Sequence, residues 1–151
     1  MTRGITPSGE VATLAGSAGT RGSKDDVGGS ASFLGPRKMA IDNGGTLYVS
    51  DDNSIRKVTS AGIVTTLAGK GLSSGSTDVD GMSARFNFPH GLAVDNSGNV
   101  YVADRNNHVM RKVSKLGVGT TIGGMAGSIG SIGSIVSIGS IDGEGSNARF
   151  N

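Results

Sequence analysis

Apolar positions along this chain fall into short runs at strand spacing, with no stripe at helical spacing. MAID at 39–42 and LAVD at 92–95 are continuous apolar runs, as expected of strands buried on both faces. TLYVS at 46–50 and VYVAD at 100–104 alternate and carry β-branched and aromatic residues, the habit of half-buried strands. A third strand is predicted at SIRKV (54–58) and VMRKVS (109–114). A fourth is predicted at IVTTLA (63–68), with VATLA (11–15) as its N-terminal counterpart. Asn43-Gly44-Gly45 and Asn96-Ser97-Gly98-Asn99 stand between first and second strands as hairpin turns, because glycine reaches positive φ without steric cost.

The pattern repeats. Thr13-Leu14-Ala15-Gly16 returns as Thr66-Leu67-Ala68-Gly69, and MAIDNGGTLYVSD (39–51) returns as LAVDNSGNVYVAD (92–104), both 53 residues on. Phe33 and Pro36 return as Phe86 and Pro89 at the same offset. A third copy begins at Thr121-Ile122-Gly123 and runs to Ala148-Arg149-Phe150-Asn151, which repeats Ala84-Arg85-Phe86-Asn87. Four antiparallel strands per period, the innermost most apolar, describe a propeller blade. The expected fold is all-β, a β-propeller fragment of four-stranded antiparallel blades with no helix longer than one turn. Complete blades are expected at 37–67 and 90–122, with an outer strand at 10–14 that lacks inner partners. Phe33, Phe86, Val100 and Val102 are expected in the core, together with Leu14, Leu47, Leu67, Leu92 and Val94. The stretch 123–151 reads as an inter-blade linker whose Ser-Ile-Gly insertion (128–141) breaks the period.

Composition narrows the chemistry. Glycine supplies 27 of 151 residues, more than twice the usual share of about 7 %, in keeping with many tight turns. Cysteine is absent, so no disulfide framework and no thiolate site exist. A net charge of +2 gives no strong field. The sequence shows no apolar run near the roughly 20 residues of a membrane span, and MTRGITPSGE lacks the apolar core of a signal peptide. No cellular compartment follows.

The elements A-x-F-x-x-P-x-G-L-A-V-D and G-N-V-Y-V-A-D-x-x-N-x-x-x-R-K-V, carried by Phe86 to Val113, resemble the NHL repeat. The first copy departs from it: its loop Asp51-Asp52-Asn53 is two residues short, and Arg37-Lys38 stand where small residues are usual. The resemblance implies a propeller whose rings generally hold five or six blades. Two blades leave apolar faces uncovered, so the rest of a longer chain or other copies are expected to complete it.

Strand direction collects the candidate site. Entry loops and second-to-third-strand loops share one face, bringing together Arg37, Lys38 and His90 with Asp51, Asp52, Asn53, Arg105, Asn106, Asn107 and His108. Loops on a rigid scaffold are where function concentrates. His90 falls where NHL-class amidating lyases place histidine metal ligands, but its counterpart is Arg37, and zinc needs three or four ligands. Arg56-Lys57 and Arg111-Lys112 alternate in strands, so one of each pair faces solvent and the other meets a loop carboxylate such as Asp51 or Asp104. Some NHL propellers bind single-stranded RNA on a basic face helped by aromatic stacking; these loops show no aromatic. Asp78-Val79-Asp80-Gly81 and Asp142-Gly143-Glu144-Gly145 lack the twelfth-position glutamate of a calcium loop and read as turns. The function expected is a non-catalytic interaction or scaffold module for a protein, peptide or glycan, with no cofactor. The alternatives are a piece of an amidating lyase of the peptidyl-hydroxyglycine type, or an RNA-binding domain.

Overall fold

A computed structural model describes residues 1–124 and is all-β. Strands β1 (Thr2–Ile5) and β2 (Val11–Ala15) form a two-stranded sheet. Strands β3 (Pro36–Ile41), β4 (Leu47–Asp51), β5 (Ser54–Val58) and β6 (Val64–Gly69) form one four-stranded antiparallel blade. Strands β7 (Pro89–Val94), β8 (Val100–Asp104), β9 (Val109–Val113) and β10 (Gly119–Gly123) form a second. Helical geometry among the described residues is confined to single 3-10 turns at Gly28–Ser30, Gly81–Ser83 and Arg105–Asn107. The Ser-Ile-Gly insertion and the Asp142–Gly145 run lie outside the described residues.

The first hairpin of each blade is closed by an aspartate. Asp42 Oδ1 accepts the backbone N–H of Gly44 and Thr46, and Tyr48 Oη donates to Asp42 Oδ2 at 3.2 Å. Asp95 repeats the arrangement with Ser97, Asn99 and Tyr101. The two turns touch: Asn43 Nδ2 donates to Asn96 Oδ1 at 3.1 Å.

Strand alternation builds two cores. Val49, Val58 and Val64 point from the first blade toward Ala15, Ala31 and Phe33. Tyr48, Ile55 and Ala68 point from its other face toward Ala84, Phe86 and the second blade's Val100, Val102 and Val113. Burial of each such valine or phenylalanine contributes about 1.5–3 kcal/mol. Phe33, Phe86, Val100 and Val102 are buried as the sequence predicts.

Three expectations need correction. The strand at 10–14 has a partner, because β1 pairs along it from Ile5↔Val11 to Thr2↔Ala15. Leu14, Leu47, Leu67, Leu92 and Val94 are only partly buried and pack on the rims of the two cores. The innermost strands are not buried on both faces: Met39 and Ile41 of β3 are 54 % and 62 % exposed, because the core on their side gathers residues of β4, β5 and β6 and does not reach β3.

Candidate ligand-binding face

The entry of each blade is bent by a β-bulge. Pro36 opposes Asp51, yet Met39 opposes Val49, so Arg37-Lys38 contain one extra residue; His90-Gly91 sit in the same bulge of the second blade. A bulge re-aims side chains out of the regular pleat, here at three of the residues assigned to the face. Ser50 Oγ fixes the first bulge: it accepts the Lys38 N–H at 3.1 Å and lies 3.3 Å from the carbonyls of Lys38 and His90. That hydroxyl ties the two blade entries together.

The predicted residues divide into framework and surface. Asp51 is fully buried and accepts N–H groups from Leu34 and Gly35 as well as the guanidinium of Arg56. Asn53 is buried and accepts the Phe88 N–H at 3.0 Å. Asn107 is buried and donates to the Gly75 carbonyl and to Asp104. Asp52 is half-buried and receives the Leu72 N–H at 2.8 Å. These four hold loops in place. Arg37, Lys38, Arg105 and Asn106 remain exposed, and His90 and His108 are half-buried beside them. Arg37, Lys38 and Arg105 have no carboxylate within ion-pair distance among the described residues. The accessible part of this face is therefore cationic.

An aromatic does lie on the face, contrary to the sequence expectation. Phe88 takes a left-handed backbone (φ 54°), and the Arg37 guanidinium sits 4.5 Å from its ring centroid. Residue 88 reads as linker, and the contact joins positions 51 residues apart, so no local signal announces it. A cation over an aromatic ring is worth about 0.5–1 kcal/mol at exposed sites.

The paired basic residues behave as alternation predicts. Arg56 and Arg111 are fully buried, while Lys57 and Lys112 are half-buried. Arg56 bonds Asp51 at 3.1 Å and Asp25 at 2.7 Å, takes the Ser32 and Lys24 carbonyls, and lies over Phe33. Arg111 pairs with Asp104 at 3.4 Å and Asp78 at 2.6 Å, binds the carbonyls of Arg85 and Thr77, and lies over Phe86. Asp25 and Asp78, both in linkers, are the partners that sequence reasoning missed. Burial pushes the Asp104 carboxyl up, against the lowering effect of the N–H groups and guanidinium that face it.

A cleft of about 650 Å³ opens on the second blade, lined by His90, Arg105 and His108 above Ala103, Val109 and Met110. Its carboxylate, Asp104, is committed to Arg111 and Asn107. No cluster of three or more metal-ligating side chains occurs among the described residues, and none of their helices is long and apolar enough to cross a membrane.

Comparison with known proteins agrees with this architecture. The NHL repeat model matches residues 86–112. A structural genomics protein of unknown function from Bacteroides thetaiotaomicron is 30 % identical with a TM-score of 0.63, over 73 % of this chain and 28 % of that one. An auxiliary nutrient binding protein from the same organism is 30 % identical with a TM-score of 0.58, over 68 % of this chain and 28 % of its own. Another auxiliary nutrient binding protein, from Bacteroides ovatus, shares the fold at 21 % identity and a TM-score of 0.54, over 70 % and 27 %. The chain thus spans little more than a quarter of the solved relatives it matches. No curated protein matches it. The chain thus carries an NHL repeat at 86–112 and, among its described residues, two four-stranded antiparallel blades like those of the β-propeller structures it matches.

Proposed function

We propose that the chain is a non-catalytic recognition module that binds a protein, peptide or glycan on the loop face. One observation carries the reading. Asp51, Asp52, Asn53 and Asn107 are spent on the framework, while the Arg37 guanidinium stands 4.5 Å from the Phe88 ring centroid and Lys38, Arg105 and Asn106 are exposed on the same face. A guanidinium beside an aromatic ring recognises ligands by planar hydrogen bonding and stacking. The 30 % identity to an auxiliary nutrient binding protein supports binding over catalysis. Titration of immobilised protein with a panel of glycans and peptides tests it. Arg37→Ala and Phe88→Ala are each expected to weaken the selected ligand at least tenfold, and unchanged affinity in both variants sinks the proposal.

Phe88 also gives the RNA reading the aromatic that the sequence seemed to lack, and single-stranded oligonucleotides belong in the same panel. Tight binding to them that collapses with rising salt would favour that alternative. The lyase alternative draws on His90 and His108 lining one cleft. Stoichiometric zinc in the purified protein would favour it, since a zinc site needs at least one further ligand.

A further inference from the structure

We propose that Leu72 is the apolar anchor of a docking surface for an acidic peptide segment, set on the loop face beside Phe88 and Arg37. The inference rests on the recognition role of that face and names the chemistry of its partner. Leu72 has φ 63° and is 77 % exposed. A left-handed backbone drives Cβ toward the following carbonyl oxygen, so leucine adopts it at a cost. The repeat shows the cheaper choice. In the same turn 53 residues earlier stands Gly19, at φ 77°. There the Thr20 N–H bonds the Ser17 carbonyl, as the Ser73 N–H bonds the Lys70 carbonyl here. Glycine takes that backbone freely. Burial does not offset the strain at Leu72, because most of the residue meets solvent. Singly exposed leucines are ordinary; one held in a strained turn that its own repeat builds with glycine calls for a use.

The surroundings clamp that turn and define what it can bind. Asp52 Oδ2 accepts the Leu72 N–H at 2.8 Å and the Asn53 side-chain N–H at 3.1 Å. Asn53 Oδ1 accepts the N–H of Phe88, the other large apolar residue with a left-handed backbone among the described residues. Two consecutive loop residues thus fix both strained apolar residues through one chain of hydrogen bonds. Gly71 has no room for a Cβ beside Leu34, so the turn sits tightly on the blade. Arg37, Lys38 and Lys70 are exposed, and none has a carboxylate within ion-pair distance among the described residues. Lys70 opens the turn that carries Leu72. An aliphatic knob gives a base or a sugar ring no plane to stack on, whereas it packs against an apolar side chain of a peptide. The cations around it select acidic neighbours for that side chain.

The probe is a synthetic library of short peptides in which leucine or phenylalanine is flanked by aspartate and glutamate. It is passed over the immobilised 151-residue chain beside a matched library with lysine in the acidic positions, and beside single-stranded oligonucleotides. Retention of acidic peptides and not of their lysine counterparts is expected. For the tightest acidic peptide, Leu72→Gly is expected to weaken affinity about tenfold or more. The urea midpoint of that variant is expected to stay level or rise, because glycine relieves the left-handed backbone. Leu72→Met keeps an apolar side chain and is expected to bind more tightly than Leu72→Gly. Unchanged affinity in Leu72→Gly overturns the proposal, and so does a fall of affinity and midpoint together. A Leu72→Met chain as weak as Leu72→Gly, retention of no acidic peptide, or preference for oligonucleotides does the same. If Arg37→Ala and Phe88→Ala abolish peptide binding while Leu72→Gly does not, recognition on the loop face stands and the Leu72 anchor falls.

Discussion

Replacing Arg56 by methionine removes the cation that joins the first blade to its upstream linker while keeping most of the side-chain volume. Arg56 and Asp51 are both inaccessible to solvent. The substitution leaves the Asp51 carboxylate buried without its counter-ion, a change that costs about 3–5 kcal/mol. The N–H groups of Leu34 and Gly35 still reach that carboxylate and hold the loss toward the lower end. The buried Ser32 carbonyl also loses its donor, at about 1 kcal/mol or more. Asp25 is 42 % exposed, so Asp25→Asn is expected to cost only about 0–1 kcal/mol. Urea is the right denaturant because it leaves ion pairs unscreened. At a slope of about 2 kcal/mol per molar, a 4 kcal/mol loss lowers the midpoint by about 2 M. Adding Asp51→Asn to Arg56→Met is expected to recover about 1–3 kcal/mol, because the orphaned charge disappears. A loss below about 1 kcal/mol in Arg56→Met, or a cycle additive within about 0.5 kcal/mol, would refute the clasp as a structural element.

Other outcomes follow from the same coordinates. Gly69→Ala forces a side chain into a left-handed position against the Asn53 carbonyl and the Phe86 ring, so a loss above about 2 kcal/mol is expected in urea titration. Asp42 is held low chiefly by the Thr46 N–H, and Asp95 chiefly by the Asn99 side chain. Their depressed folded values place their contribution above the ordinary carboxylate value of 3.8, to be lost as pH falls through the lowered values. Asp104, raised by burial, has the opposite sign: its contribution is present below 3.8 and lost as pH rises through its own value. Thermal midpoints across the acid range should therefore fall less steeply in the Asp42→Asn, Asp95→Asn double variant and more steeply in Asp104→Asn; the same slope in all three would contradict the assignment. Half-exposed Tyr101 and Met110 on the second blade and exposed Met39 and Ile41 on the first lead us to expect self-association of the chain alone at micromolar concentration. Sedimentation as a cooperatively unfolding monomer would count against that expectation.

The fold was legible because its information is periodic. Alternation in TLYVS and VYVAD assigned the blade strands, and a period of two put Arg56 and Lys57 on opposite faces without saying which is the buried one. The missed strand, Thr2–Ile5, reads Thr-Arg-Gly-Ile, too short and polar to alternate; it forms because β2 offers an unpaired edge. The site was legible only in part. Sequence placed ten residues on one face but could not tell framework from surface, because that depends on backbone groups far along the chain. Asn53 is buried by a bond to residue 88, and Asp25 is recruited by Arg56, 31 positions later. Phe88 was passed over because its left-handed backbone is a tertiary outcome.

The arginine clasp also bears on how such a chain can lengthen or shorten. Arg56 draws both its carboxylates from its own blade and the linker before it, and Arg111 does the same. No buried charge of one unit depends on the other. Insertion or deletion of a whole linker-plus-blade unit therefore carries its arginine and both aspartates together and strands no ion in the interior. A break inside the unit, between Asp25 and Arg56 or between Asp78 and Arg111, separates them and leaves a guanidinium or a carboxylate to be desolvated alone. Duplication boundaries that fall between Arg56 and Asp78, as near Gly69, are electrostatically silent, and boundaries between Asp25 and Arg56 or between Asp78 and Arg111 are not. Blade number in a protein of this construction can thus drift by whole units without any compensating substitution in the core.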